Sequence, residues 1–191
     1  MRIGVLALQG AVPEHLAAVR RALSTSSKHG EAVQVRSPRD LAKADALIIP
    51  GGESTTISRL LDKFKLREPI IERARAGMPL MGTCAGCIVV ASEGDSTIEQ
   101  MKLMEMRVAR NAFGRQRESF ECQLDIKGFD GTYNGVFIRA PLIERVWGRC
   151  EALASVPEGI VLARQGSMLA LAFHPELTED TRLHEMLIGM V

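Results

Sequence analysis

The chain has 191 residues, of which 46% are hydrophobic and 25% charged, and its net charge is +1. These values predict one globular domain over residues 1–191, large enough to bury a three-layer core. The small net charge argues against nucleic acid or an anionic membrane surface as a partner, and no apolar run approaches the ~20 residues that span a bilayer. Four cysteines in a chain of this length do not suggest a disulfide framework, so we expect a reducing, cytoplasmic location.

The first half of the chain alternates between strand-like and helix-like segments. Apolar runs predict buried strands at residues 2–8, 32–35, 46–49 and 80–81. Helices are predicted at residues 13–24, 54–64 and 69–76, with a helical turn at 41–45 and with Ser54 or Thr55 as the cap of the second helix. Such alternation is typical of a parallel sheet that is covered by helices on both faces.

The second half differs, because strand-like segments there are separated by Gly-rich turns. These segments are residues 106–108, 122–126, 132–138, 146–147, 152–155, 160–164 and 169–173. We expect them to extend the sheet in an antiparallel manner, and we expect an amphipathic helix over residues 181–190 to close the chain. The predicted fold class is therefore α/β: a three-layer sandwich with a mostly parallel central sheet and an antiparallel extension.

A small-residue turn carries a thiol at the end of one predicted strand, in the segment Gly82-Thr83-Cys84-Ala85-Gly86. A strand, a sharp Gly-x-Cys-x-Gly turn and a helix together form a nucleophile elbow, and glycine is needed where a side chain would crowd that turn. Cys84 would open the following helix, where unpaired N–H groups and the helix dipole favour a thiolate. Cys84 is therefore the candidate nucleophile.

A second apolar strand ends in a base and a carboxylate, in the segment His174-Pro175-Glu176. Residues i and i+2 of an extended segment point to the same side. Glu176 can therefore orient the imidazole of His174 and stabilise its cation, while His174 takes the proton of the thiol. Cys84, His174 and Glu176 form the predicted catalytic triad.

Three further histidines lack this combination of an apolar strand and a neighbouring carboxylate. His15 lies on the first predicted helix and His184 on the last, and we interpret both as surface or helix-packing residues. His29 lies in a polar connection between elements. None of the three is a candidate for the catalytic base.

Taken together, the motifs of this chain resemble those of the class I (triad) glutamine amidotransferases. Six matching segments run in family order over nearly the whole chain, at residues 6–12, 50–56, 82–86, 110–116, 137–141 and 173–177. The elbow and His-Pro-Glu alone indicate only this superfamily. The runs Gly-Gly-Glu-Ser-Thr-Thr at 51–56 and Arg-Asn-Ala-Phe-Gly-Arg-Gln at 110–116 are more specific. They make the chain similar to the glutaminase subunits of two-protein pyridoxal 5′-phosphate synthase, the PdxT/SNO family.

This resemblance implies an activity and a partner. The reaction would convert L-glutamine to L-glutamate and ammonia through a γ-glutamyl thioester on Cys84. The partner would be the barrel-shaped synthase subunit, which uses the ammonia to make pyridoxal 5′-phosphate. Thiol chemistry of this kind needs no metal and no organic cofactor, so we expect neither.

The resemblance also implies the residues around the triad. Ala85 donates its N–H to the oxyanion by elbow geometry, and the loop of Gly51 and Gly52 supplies a second donor. The implied glutamine-binding residues are Gly52, Glu53, Ser54, Arg110, Ile138 and Arg139, the last through its backbone. A loop at Gln9 and Gly10 is expected to reorganise when the synthase docks.

Other interpretations stay open at this point. Cys84 and Cys87 form a Cys-x-x-Cys pair, which is compatible with a redox or stress-response protein of related fold, or with half of a zinc site. A catalytically silent scaffold for the synthase is a further alternative. The glycine pair at 51–52 and the Gln9 segment are also compatible with ordinary turns, and Arg110 with a charged surface loop.

Overall fold

The computed structural model describes residues 1–110 and 119–191. Its strands are β1 (Arg2–Leu6), β2 (Glu31–Val35), β3 (Ala46–Ile49), β4 (Leu80–Thr83), β5 (Ala91–Glu93), β6 (Met104–Ala109), β7 (Ser119–Leu124), β8 (Tyr133–Ile138), β9 (Leu142–Val146), β10 (Glu151–Val156), β11 (Gly159–Gln165) and β12 (Met168–Leu171). Its helices are α1 (Val12–Thr25), α2 (Pro38–Leu41), α3 (Ser54–Lys63), α4 (Arg67–Arg75), α5 (Ala85–Val90) and α6 (Arg182–Gly189), with a 3₁₀ turn at Pro175–Leu177. No helix within these ranges has the length and apolar character needed to cross a membrane.

Ten strands of the described residues form one sheet, in the order β2-β1-β3-β4-β12-β11-β9-β6-β5, with β10 paired to β11. The first five strands of that order run parallel to one another. From β12 onward the strands β11, β9 and β6 alternate in direction, and β5 returns parallel to β6. The α/β class with an antiparallel extension is thereby confirmed.

Helices cover both faces of this sheet, because side chains alternate along each buried strand. On β3, Leu47 and Ile49 face a core that is closed by α2, α3, α4 and α5, whereas Ala46 and Ile48 face a core that is closed by α1 and α6. All four side chains are fully buried, and each large one stabilises the fold by ~1.5–3 kcal/mol. Two cores around one sheet give the three layers that the sequence predicted.

Two predicted strands lie outside the main sheet. The strands β7 and β8 form a separate antiparallel pair, although the sequence predicted them as part of the extension. Phe137, fully buried on β8, packs against Phe173 with ring centroids 5.5 Å apart, and the N–H of His174 donates to the Val136 carbonyl at 2.8 Å. This pair therefore packs on the segment that carries His174, through contacts that a strand pattern does not reveal.

Three element assignments also differ from the predictions. The strand β12 is antiparallel to β11 but parallel to β4, so it joins the two parts of the sheet and does not belong to the extension alone. The helical turn expected at 41–45 lies earlier, as α2, because Ser37 caps it and Pro38 is its first residue. The strand β9 spans Leu142–Val146, where only residues 146–147 were predicted.

Candidate active site

The elbow predicted around Cys84 forms between β4 and α5. Cys84 has φ 49° and ψ −104°, a conformation that costs a non-glycine residue ~1–3 kcal/mol and that the surrounding structure must enforce. A Cβ on Gly82 would lie 2.7 Å from the Gly86 carbonyl oxygen, and one on Gly86 would overlap the carbonyl oxygen of Ile49. Both glycines are therefore needed for the turn to close. Ala85 follows as the first residue of α5, where helical N–H groups lack partners within the helix.

Strand register brings the two predicted motifs to one edge of the sheet. The parallel strands β3, β4 and β12 end side by side, with Thr83 paired to Leu171. The N–H of Cys84 donates to the carbonyl of Leu171 at 2.8 Å, so the chain leaving β12 reaches His174 beside the elbow. Open α/β sheets bind ligands at this carboxyl edge.

Cys84, His174 and Glu176 lie next to one another in the predicted order. The side chains of His174 and Cys84 both lie against Gly51, and Nδ1 of His174 lies 2.7 Å from Oε1 of Glu176. Burial opposes charge on His174, but its interactions with Cys84 and Glu176 raise the pKa of His174 to about 10. Burial also acts to raise the pKa of Glu176, yet the facing His15 and His174 hold that pKa below its usual value. Glu176 therefore stabilises a proton on His174.

The glycine pair of the predicted oxyanion loop approaches both catalytic side chains closely. A Cβ on Gly51 would lie 2.6 Å from Cε1 of His174 and 3.2 Å from Cβ of Cys84, so no larger residue fits without moving them. The carbonyl of Gly51 accepts a hydrogen bond from the N–H of Ala11 at 3.0 Å. Because a trans peptide is planar, the N–H of Gly52 points away from Ala11 and stays available for another acceptor.

The loop of Gln9 and Gly10 packs against the same glycine pair. Oε1 of Gln9 accepts a hydrogen bond from the N–H of Glu53 at 2.9 Å, and a Cβ on Gly52 would overlap the Gln9 amide. Gly10 has φ 109°, and a Cβ there would overlap the carbonyl oxygen of Gly51. The loop of Gln9 and Gly10 is therefore in direct contact with Gly51, Gly52 and Glu53.

Glu53 caps helix α3, which corrects the prediction of Ser54 or Thr55 in that role. Its carboxylate accepts hydrogen bonds from the N–H groups of Thr55 at 3.1 Å and Thr56 at 2.6 Å. The longer glutamate side chain reaches these donors from one residue earlier. Burial acts to raise the pKa of Glu53, but the hydrogen bonds from Thr56 and Thr55 outweigh it and lower that pKa to about 2.

Arg110, the predicted cation for the substrate, follows β6 and is already paired with carboxylates. It lies 3.1 Å from Asp95 and 3.5 Å from Glu53. Its position beside Glu53 links it to the loop at residues 50–56. The remainder of its sequence motif, residues 111–116, lies outside the described residues.

The other predicted glutamine-binding residues differ in their access to solvent. Ser54 is buried as the first residue of α3, whereas Ile138 and Arg139 are exposed. The carbonyl oxygen of Ile138 lies 3.9 Å from Sγ of Cys84, and Arg139 has φ 43°. The backbone at this turn therefore faces the nucleophile, in line with the expectation that Arg139 contributes through its backbone.

Cys87 has the properties of a packed core residue. It is fully buried on α5, and burial raises the pKa of its thiol well above the usual value. A thiol that does not ionise is a poor redox partner for Cys84.

His15 also belongs to this site, which corrects its interpretation as a surface or helix-packing residue. Its side chain has no solvent exposure, and its Nε2 lies 3.3 Å from Oε2 of Glu176 and 3.0 Å from Oγ1 of Thr83. His184 packs behind it, with Nε2 at 3.3 Å from Nδ1 of His15. The sequence feature that could have identified His15 is helical spacing. His15 lies four residues before Val19 and so on the apolar face of α1, where a histidine needs a buried polar partner.

The chain is similar to known proteins over nearly its whole length. The SNO glutamine amidotransferase family matches residues 5–191 of the chain. The pyridoxal 5′-phosphate synthase subunit PdxT of Mycobacteroides abscessus is 52% identical over 99% of this chain and 96% of its own length. The protein of the same name from Methanosarcina acetivorans is 46% identical over 100% of this chain and 98% of its own length.

Solved structures extend the likeness to three dimensions. A crystal structure of a glutamine amidotransferase is 46% identical to this chain, with a TM-score of 0.89, and the match covers 98% of this chain and 97% of the other. A glutamine amidotransferase from Thermotoga maritima is 14% identical with a TM-score of 0.62, over 96% of this chain and 80% of its own, and this likeness shows the fold alone. The chain therefore belongs to the SNO glutamine amidotransferase family.

Proposed function

We propose that this chain is the glutaminase subunit of a pyridoxal 5′-phosphate synthase and that Cys84, His174 and Glu176 hydrolyse L-glutamine to L-glutamate and ammonia. The observation that carries this function is the contact of the three side chains. A thiol on a strained elbow lies beside an imidazole across Gly51, and that imidazole lies 2.7 Å from a buried carboxylate. Relatives that match over almost their whole length are named as subunits of that synthase.

The reaction begins when His174 takes the proton of the Cys84 thiol and Sγ attacks the side-chain amide carbon of glutamine. His174 donates its proton to the leaving nitrogen, the C–N bond breaks, and ammonia departs from a γ-glutamyl thioester. Water then attacks the thioester while His174 accepts its proton, and the C–S bond breaks to release glutamate. Glu176 stabilises the imidazolium at each stage, as the carboxylate does in other triads.

The oxyanion of both steps is assigned to two backbone N–H groups. Ala85 follows the nucleophile directly, and the Gly52 N–H is turned away from Ala11 by the hydrogen bond that the Gly51 carbonyl makes. Gly51 contributes by having no side chain, because a Cβ there would push against His174. One such donor is typically worth ~10²–10³ in kcat.

The backbone and side chains around the elbow are assigned to the amino-acid end of glutamine. The α-carboxylate is expected at Arg110, where it competes with Asp95 for the guanidinium. The α-ammonium needs carbonyl or carboxylate acceptors, which Ile138 and Glu53 provide. Gly52, Ser54 and the backbone of Arg139 complete the proposed pocket.

A synthase partner follows from the fate of the ammonia. In water ammonia becomes ammonium and loses its nucleophilic lone pair, so transfer must be shielded from solvent. The contacts of Gln9 and Gly10 with the glycine pair support a loop that senses the docked synthase subunit. All four cysteines are free thiols, which supports the cytoplasm as the location.

A redox or stress-response role is the less favoured alternative. It would use Cys84 and Cys87 as a pair, but Cys87 is fully buried and its pKa is raised by that burial. It would also leave His174 and Glu176 without a purpose. No observation favours it over amide hydrolysis.

Trapping and turnover together test the proposed function. A diazoketone analogue of glutamine should label the wild-type protein once, on Cys84, and the Cys84→Ala variant should take up no label and release no ammonia. Cys87→Ala is the matched control and should keep both properties. Ammonia release should rise when the synthase subunit is added. Equal loss in the two cysteine variants, or activity on asparagine without activity on glutamine, would overturn the assignment.

A further inference from the structure

The carboxylate of Glu176 lies between two histidines, and the proposed mechanism uses only one of them. Oε1 faces Nδ1 of His174 at 2.7 Å, and Oε2 faces Nε2 of His15 at 3.3 Å. The side chains of Glu176 and His15 have no solvent exposure. Within the described residues Oε2 makes no hydrogen bond, and Nε2 of His15 is the polar group that lies beside this oxygen.

The partners of His15 and His184 decide which ring nitrogen carries the proton. Nδ1 of His15 faces Nε2 of His184 at 3.3 Å, and no partner among the described residues faces Nδ1 of His184. A proton on Nδ1 of His184 would leave a buried N–H without an acceptor and would turn a lone pair of His15 toward the carboxylate. With both protons on Nε2, His184 donates to His15, His15 donates to Thr83 with the same N–H beside Oε2 of Glu176, and only a lone pair of His184 is left over.

Both rings are neutral in this arrangement. Burial lowers the pKa of His15 against the opposing influence of Glu176, and burial lowers the pKa of His184 well below its usual value. Oγ1 of Thr83 lies 3.0 Å from the same Nε2 of His15. The N–H of His15 therefore donates to Thr83, the residue that precedes Cys84, and places its positive end 3.3 Å from Oε2 of Glu176.

We propose that His15 is a positioning residue of the triad: its neutral Nε2–H keeps the Glu176 carboxylate turned toward His174, and His184 holds the ring of His15 in that tautomer. This inference rests on the proposed function and deepens it. His15 acts through Glu176 and not on glutamine itself. Its loss should therefore lower kcat and leave KM nearly unchanged.

The physical consequence of losing this donor is a change in the ionisation of Glu176. A buried carboxylate that loses the positive end of a neighbouring N–H favours the protonated acid, and a protonated Glu176 no longer stabilises the cation of His174. The acid limb of the kcat profile should then move to higher pH. Other titratable groups that face Glu176, His15 or His184 are His174, Tyr133, Glu14 and Arg21.

The test compares two replacements of His15 in the full chain with its synthase partner. His15→Gln keeps an N–H donor near the position of Nε2, whereas His15→Leu fills similar space without a donor. For His15→Leu we expect kcat for ammonia release to fall about tenfold or more and the acid limb to rise by about 1 pH unit. For His15→Gln we expect kcat within about threefold of wild type and an unshifted profile, with both KM values little changed.

Two outcomes would overturn the proposal. One is a wild-type kcat in His15→Leu. The other is an equal loss in both variants with the acid limb unmoved, which would indicate a packing role alone. His29→Gln, in an exposed loop, controls for the general effect of removing a histidine.

A measurement on the unmodified protein keeps the proposal testable even if a variant does not fold. Side-chain ¹⁵N chemical shifts of His15 and His184 at pH 7 should show both rings neutral with the proton on Nε2. A proton on Nδ1 of His15, or a charged ring, would contradict the proposal whether or not the chain releases ammonia. Loss of the proposed function would appear separately, as ammonia release that survives Cys84→Ala.

Discussion

Glu53 and Glu176 are two carboxylates of one site, and they are kept ionised by different means. The side chain of Glu53 is 49% exposed, and its charge is held by backbone N–H groups at the start of α3. The side chain of Glu176 has no exposure, and its two oxygens face His174 and His15. One charge depends on local helix geometry, and the other on residues that are distant in sequence.

Because of this difference, we expect the two carboxylates to affect different properties of the protein. The backbone donors around Glu53 are present in any well-formed helix start, so the neighbouring sequence alone supports that carboxylate. The imidazoles around Glu176 are brought together only when α1, β12 and the 3₁₀ turn have packed. We therefore expect changes at Glu176 to act on kcat, and changes at Glu53 to act on the stability of α3 and, through the proposed contact with the α-ammonium, on glutamine binding.

The largest expected effect comes from removing the buried charge. Glu176→Gln keeps the shape of the side chain but cannot stabilise the imidazolium of His174, so kcat for ammonia release should fall by about 10³–10⁴. The matched variant Glu53→Gln should lose less than about tenfold, because a charge outside the triad contributes little to the transition state. Steady-state kinetics with the synthase subunit measure both. Losses of similar size would erase the distinction between the two carboxylates.

The second expected effect is a difference in the pH dependence of stability between the buried histidines and Glu53. Burial lowers the pKa of His15 and His184, so below pH 6.5 the unfolded chain binds protons that the folded chain does not. Stability should fall as the pH drops below 6.5, by up to about 1.4 kcal/mol per pH unit for each histidine. Glu53, with its pKa lowered to about 2 from 4.5, adds stability that is present above pH 4.5 and lost between 4.5 and 2. The buried region therefore weakens first on acidification.

The contribution of His174 to stability changes with pH in the opposite direction, because its pKa is raised from 6.5 to about 10. Its contribution is fully present below pH 6.5 and is lost as the pH rises toward 10. The free energy of unfolding should therefore be greatest near pH 6.5. Urea unfolding between pH 5 and 10 measures this curve. His184→Leu should flatten its acid side and His29→Gln should not, and an unchanged acid slope in His184→Leu would refute the assignment to buried histidines.

Much of the architecture was predictable because it depends on local pattern. Apolar runs alternating with helical spacing gave the parallel half of the sheet, and the glycines at 82 and 86 marked the elbow through steric need alone. The β7–β8 pair was misplaced because the same strand pattern fits any sheet. Its position depends on the packing of Phe137 against Phe173, which sequence spacing does not encode.

The proposed triad could be named from the sequence because each member carries a recognisable chemistry at a strand end. His15 was not, because its partner Glu176 lies far along the chain and meets it only through tertiary packing. The cap of α3 was misassigned by one residue for a different reason. Ser54 and Thr55 are good caps by type, but Glu53 reaches the same N–H groups from the preceding position.

The smallest expected effect is on stability, and it tests the role of the exposed Glu53 as the cap of α3. Glu53→Ala removes the acceptor for the N–H groups of Thr55 and Thr56 and should lower the free energy of unfolding by about 1 kcal/mol, or Tm by roughly 2–4 °C. Glu53→Asp is the matched control, since aspartate is a good N-cap residue and should retain most of that stability. Thermal melts of the two variants measure the difference. Equal destabilisation would mean that the pairing with Arg110 matters more than the cap, and would make Glu53 part of the charge network of the site.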